Sequence, residues 1–343
     1  MVVAPLTEPP DVVASRPRRT AGTWIGHVAR QQATPVFVAT LLLFAAAWIV
    51  APATFTSASL VAIVIPSGIL AIAAIGQTLV VQQKGIDLSV GGMITLAAMS
   101  LGVVYGASGS LLLALGAVAL CAVGGGVLNG LIVTRLHITP ILATLATNSL
   151  FLGVVWTISG GSAQLSPESL VTFTNATLFE LPMIGWVAVV LVVSNALFMA
   201  KSTFGRRFTG AGASPDAARA SGVRVHRYVV SAYVASCVFA AFAGILLAGY
   251  AGQETYALGA PYQLPVIAAV VVGGAPLTGG RGSVIATGLA CILLTLVVQM
   301  VLTLGAPTSV QLLVQSIVVG IAATIRLVPW RYLMTKFTRR VAP

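Results

Sequence analysis

The polar residues of this chain are sparse enough that each can be asked what chemistry it could do. Its seven acids are scattered and form no carboxylate cluster for acid–base work. His27, His137 and His226 stand far apart, with no H-E-x-x-H arrangement to hold a metal. Cys121, Cys237 and Cys291 sit in apolar runs without a CxxC pair and read as small buried helix residues. Gly273, Gly274, Gly279, Gly280 and Gly282 could cradle a phosphate, but the G-x-x-x-x-G-K-[ST] pattern is missing. These glycines read as packing and hinge positions instead. No nucleophile, metal site or cofactor is expected, and the chain is not expected to be an enzyme. What remains are amides and indoles inside apolar runs, able to hydrogen-bond or stack against a small polar solute. Gln77, Asn129, Asn148 and Trp156 are the candidates for such a path. The same residue types also tie helices together or sit at a membrane interface.

The elements that must position these residues follow from composition. Of 343 residues 58% are hydrophobic and 7% charged, where a soluble domain carries about 25% charged residues. The surrounding solvent must therefore be lipid. A bilayer core needs roughly 20 apolar residues per helix. Ten stretches qualify: 34–53, 60–82, 88–106, 111–133, 139–159, 183–200, 228–250, 258–276, 283–303 and 309–328. The eighth is interrupted by Pro261 and Pro265 and is expected to be broken or re-entrant. Gly124, Gly125 and Gly126 suggest a close helix contact. The fold class is thus an all-α polytopic membrane protein with about ten transmembrane helices. Residues 1–33 are expected to be a disordered cytoplasmic tail, 34–328 the membrane domain, and 329–343 a basic cytoplasmic tail.

Charge placement tests that count. With the N-terminus inside, the tails and the loops 82–87, 134–138, 201–227 and 277–282 hold all 18 Lys and Arg residues. The outer loops hold Glu168, Glu180 and Glu254 instead. Such asymmetry is what the positive-inside rule requires, and it places both termini in the cytoplasm of a bacterial inner-membrane protein. It also removes nucleic acid as a partner, because the net charge of +11 is spread along one membrane face.

The longest inner loop contains a short helix with both ends written in. Ser214 is a natural N-cap, Pro215 suits the first position, Asp216 complements the helix dipole, and Gly222 can end the helix. About two turns, roughly 10 Å, result. A stiff knob of this kind could insert into a partner protein, or it could be a connector held by anionic lipid headgroups.

Three stretches of the chain resemble signatures of one family. Asp216-Ala217-Ala218 followed by Gly222 resembles the coupling-helix motif of ABC importer permeases. Gly85-Ile86-Asp87-Leu88-Ser89-Val90-Gly91 resembles a signature of the ribose-type permeases. Ile267 to Gly274, with Leu277-Thr278-Gly279-Gly280-Arg281, resembles that family's second signature. The resemblance covers residues 60–325, with Lys84, Gln263 and Pro265 departing from the pattern. It implies a permease subunit for a sugar or sugar-like solute that carries no cofactor. The implied partners are separate ABC ATPase subunits docking on the coupling helix, an extracytoplasmic solute-binding protein, and a second permease subunit, identical or related. Branched-chain amino acid permeases are the nearest rival within that superfamily.

Asp87 is expected at the inner end of the third span. It could cap the helix that follows, or form a charge pair with Arg281 that changes between inward and outward states. A stand-alone secondary transporter would bury acids at mid-membrane, and none is expected there.

Overall fold

The computed structural model describes residues 21–327. The expected tail 329–343, and the part of the N-terminal tail before Ala21, lie outside the described residues.

The chain forms thirteen α-helices in the described residues. They are α1 (Ala21–Val50), α2 (Ser57–Gln82), α3 (Val90–Ser108), α4 (Leu111–Arg135), α5 (Pro140–Ser159), α6 (Glu168–Asn175), α7 (Met183–Lys201), α8 (Thr203–Ala213), α9 (Pro215–Ala220), α10 (Val225–Ala251), α11 (Gln263–Val272), α12 (Val284–Thr303) and α13 (Thr308–Leu327). Four two-residue strands form two antiparallel pairs. β1 (Gln164–Leu165) pairs with β4 (Gln253–Glu254), and β2 (Thr177–Leu178) pairs with β3 (Leu181–Pro182).

All ten expected crossings are helical. Among the described residues, α1, α2, α3, α4, α5, α7, α10 and α12 are long and apolar enough to cross a membrane, and α11 and α13 add shorter apolar stretches. The protein is a polytopic, all-α membrane protein. Helix α1 starts at Ala21, well inside the stretch read as a disordered tail, because the prolines that argued for disorder all precede Ala21. Helix boundaries follow local chemistry elsewhere. Gly109 closes α3 in the left-handed conformation, and the Ser110 side chain accepts from Leu113 N–H to open α4.

Helix α11 has only ten residues, about 15 Å of helix. Pro261 lies in a 3-10 turn (Ala260–Tyr262) just before it, and Pro265 falls in its first turn, where a missing N–H does no harm. The eighth segment is therefore half a span entered through a turn and a 3-10 helix.

Helices α2, α3 and α10 form the centre, with α4, α5, α7 and α12 packed around them. Small residues let the central helices approach. Gly126 and Gly130 of α4 lie against the backbone of Val234 and Val230 on α10, and Gly76 of α2 lies against Ser236. The outward faces of α4, α5 and α7 carry exposed Leu112, Leu120, Leu142 and Val190. Water would penalise such surfaces; hydrocarbon does not.

The loops sort into two ends. Gln82, Gln83 and Lys84 meet the 205–213 stretch and the 279–282 loop. At the other end Gln164 pairs with Glu254, and Ser166 Oγ donates to Glu254 Oε1 at 2.6 Å. Basic loops thus gather with basic loops, and acidic loops with acidic ones.

Candidate functional site

After α2 the chain reverses sharply. Lys84 takes a φ of +65° and Gly85 N–H donates to Val80 C=O at 3.0 Å. The segment then runs back along α2, so that Asp87 lies opposite Gln77. With its amide oriented to satisfy both groups, Gln77 donates to the Asp87 carbonyl at 3.2 Å and accepts from its N–H at 3.3 Å. Gln77 is five residues from the end of α2, so Asp87 sits about 8 Å inside that end. Its side chain is 1% exposed. The expectation of a shallow Asp87 at the helix end is therefore corrected. That depth is still short of the middle of α2, which is 26 residues long.

A buried carboxylate persists only if it is hydrogen-bonded. Asp87 Oδ1 accepts from Ser89 N–H at 2.8 Å and from Ser89 Oγ at 2.6 Å. Asn129 Nδ2 donates to Ser89 Oγ at 2.8 Å, and Thr147 Oγ1 donates to Asn129 Oδ1. Leu88 N–H donates to Thr144 Oγ1 and Gly92 N–H to Asn148 Oδ1, each at 2.9 Å. Side chains of α5 thereby satisfy amides at the start of α3 that its own helix leaves unpaired. Asp87 Oδ2, Tyr233 Oη and Ser236 Oγ are among the buried polar atoms that meet no hydrogen-bond partner.

This geometry revises two readings. Gln77, Asn129 and Asn148 do not line an opening in this structure. They are buried and brace the turn that starts α3. In this structure Asp87 makes no pair with Arg281: Ser89 bonds one carboxylate oxygen, and the other meets no donor. Asp87 acts on α3 by accepting from Ser89, the residue just before the helix. Trp156 alone of the four path candidates is exposed, at 53%, and stacks on Tyr256 with ring centroids 5.2 Å apart.

The C-terminal end of α2, helix α8 and the 279–282 loop form one junction. Gly280 N–H donates to Gln82 C=O at 2.8 Å, Gln82 Nε2 to Gly282 C=O at 2.9 Å, and Gln83 Nε2 to Phe208 C=O at 2.8 Å. Gly212 lies against the Gln82 carbonyl. A Cβ on Gly280 would stand 2.5 Å from Ala213 Cα. Gly280 has a φ of +76°, a conformation glycine adopts without strain. Gly273 packs on Thr287 of α12, and Gly274 turns the chain with a φ of +89°.

Helix α9 projects from this junction. Ser214 Oγ accepts from Ala217 N–H, Pro215 occupies the first position, and Gly222 has a φ of +78°. Asp216 and Arg219 form an ion pair at 2.7 Å, with the Asp216 side chain 93% exposed. No residue of α9 is buried. It starts at Pro215 behind the Ser214 cap, as expected, and ends at Ala220, with Gly222 in the turn that follows. Helix α8 was hidden in the loop read as 201–227. Its signals were Ser202, whose side chain caps Gly205 N–H at 2.9 Å, and Phe204, Phe208 and Ala211 at helical spacing.

At the opposite end, Glu254 is fully buried, and burial raises its carboxyl above the usual range while the Ser166 bond opposes that shift. No group of three metal-ligating side chains occurs among the described residues.

Comparison with known proteins agrees with this architecture. Residues 59–323 match the family described as "Branched-chain amino acid transport system / permease component". The autoinducer 2 import system permease protein LsrC of Yersinia enterocolitica is 34% identical over 271 residues, covering 79% of this chain and 75% of that protein. LsrC of Yersinia pestis (strain Pestoides F) is 34% identical over 275 residues, 79% and 77% of the two chains. LsrC of Yersinia pseudotuberculosis (strain PB1/+) is 33% identical over 271 residues, again 79% and 77%. No solved structure matches. A family match over most of the membrane region, on a bundle with eight full-length candidate spans, places the chain among these proteins: it belongs to the branched-chain amino acid transport system permease-component family, as the membrane-embedded permease of an import system.

Proposed function

We propose that this chain is the permease subunit of an ATP-driven ABC importer for a sugar-like solute delivered by an extracytoplasmic binding protein. The relatives named for autoinducer 2 import, and the Gly85–Gly91 stretch, favour a sugar-like signalling molecule or a monosaccharide. ATP hydrolysis belongs to separate subunits. The observation that carries the reading is α9. It is a capped helix with no buried residue, attached through Ala213 and Gly280 to the end of α2. Force applied to α9 by an ATPase subunit is delivered to the central helix of the bundle, and through the Lys84 reversal to the start of α3. Asp216, Ala217, Ala218 and Gly222 form the docking element; Gly85, Asp87, Ser89, Gly273, Gly274, Gly280 and Arg281 form the joints behind it.

Because Gln77, Asn129 and Asn148 are sealed within the subunit, the path runs between this subunit and a second permease, identical or related. Trp156 is the candidate left to line it. The basic end faces the cytoplasm, with both termini there.

The test is uptake by proteoliposomes holding this chain, its ATPase subunits and the binding protein, with monosaccharides, autoinducer 2 and branched-chain amino acids as solutes. Sugar-like solutes should accumulate with ATP, and Asp216→Lys should cut uptake about tenfold or more. Accumulation of leucine or valine instead would move the chain to the amino acid branch that the family description names. Uptake unaffected by Asp216→Lys would remove α9 as the docking element.

A further inference from the structure

Beside α9 the inner end encloses a cavity of about 450 Å³. Arg207 and Phe204 of α8 form one wall, the turn through Arg224 a second, and Arg227 and Tyr228 of α10 a third. The three arginines are exposed. The ion pair formed among the described residues, Asp216 with Arg219, leaves all three out. Three guanidinium groups around one opening repel each other unless an anion lies between them. Guanidinium presents a planar fork of donors that matches phosphate oxygens two at a time.

The apolar side of the cavity points to the source of that phosphate. Tyr228 lies 5.3 Å from Phe204, and Phe204 lies 5.7 Å from Phe208 and 5.8 Å from Phe198. Phe198 stands on α7, 53% exposed, on a helix whose outward face is apolar. An aromatic strip thus leads from the cationic cavity to a surface suited to hydrocarbon. A soluble phosphate would need the arginines but not the strip, whereas a phospholipid uses both.

We propose that this cavity binds a phosphate-bearing anion, supplied as the headgroup of an anionic phospholipid from the leaflet on the basic side. The test of this site does not depend on which solute is imported. The full-length chain, extracted with phosphatidylglycerol and phosphatidylcholine in equal amounts, is analysed for retained lipid by native mass spectrometry. Retention of phosphatidylglycerol over phosphatidylcholine is expected. The combined Arg207→Gln, Arg224→Gln and Arg227→Gln variant should retain about tenfold less or lower still. Arg135→Gln removes a charge at the same end but outside the cavity, and should retain lipid like the unmodified chain. If the triple variant fails to fold, Arg207→Gln alone carries the test, with a loss of a few fold. Equal loss from Arg135→Gln would reduce the effect to general surface charge and overturn the site. Binding of inorganic phosphate without retained lipid would overturn the lipid source. Unchanged lipid in the cavity variants, with weaker capture of the ATPase subunits, would make the cavity a protein-docking surface and overturn the proposal.

Discussion

Asp87 and Asp216 both stand near the start of a helix, in stretches the sequence marks out by their pattern, yet their surroundings are opposite. Asp87 is buried among five helices' worth of polar side chains, and its hydrogen bonds reach α4 and α5 through Ser89 and Asn129. Asp216 is open to its surroundings, and among the described residues its one ion pair is with Arg219 on its own helix. Burial, rather than residue type, decides what each can contribute. A desolvated carboxylate must hold its neighbours in place to exist at all, whereas a solvated one contributes almost nothing to folding and stays available to another surface.

Substitutions at four positions would break or sharpen that contrast. The largest effect belongs to the joint between the two regions. Gly280→Val places a branched side chain against the Ala213 backbone and demands a left-handed conformation. Loss of more than about 4 kcal/mol is expected, visible as failure to recover monodisperse protein. Normal recovery would show that α8 and the 279–282 loop are not locked together. Next comes Asp87→Ala, which strips the acceptor from Ser89 and should cost about 2–3 kcal/mol. Asp87→Asn keeps an acceptor oxygen and should restore most of this in thermal unfolding. Identical losses in the two variants would mean that the hydrogen bonds to Ser89 carry little.

A smaller effect is expected at Glu254. Burial raises its folded value above the unfolded one, so its contribution is complete at acid pH. That contribution falls away as pH climbs through the raised value. Glu254→Gln should abolish this dependence, so the unfolding temperature of the variant should gain on the parent chain between acidic and neutral pH. Parallel pH curves for the two proteins would contradict a raised carboxyl. The smallest effect is Asp216→Ala, which should leave the unfolding temperature where it was. A clear drop would give Asp216 a structural role and erase the contrast with Asp87.

Much of the architecture was legible because the signals are local. Ser214, Pro215 and Gly222 mark helix ends within a few residues of where they fall, and the basic residues sort the loops by side. The interior of the site was not legible, because its geometry depends on pairs distant in sequence. The depth of Asp87 follows from the reversal at Lys84, a non-glycine residue in a left-handed conformation that no local pattern announces. The amides of Gln77, Asn129 and Asn148 looked suited to a solute. Which group each one meets depends on segments 10 to 56 residues away. The residue types were read correctly as polar groups at depth, and the partners they serve emerged only from packing.

The ten-residue length of α11 carries a consequence for biogenesis. A stretch that reaches only halfway through a bilayer cannot be held there on its own hydrophobicity as it leaves the translocon. It packs against α2 and α12, and α12 is synthesised after it. The half-helix must therefore wait, at the membrane surface or within the insertion machinery, until its downstream neighbour arrives to shelter its unpaired backbone. Nascent chains arrested before Val284 should leave this segment accessible to protease, while chains extended past Thr303 should protect it.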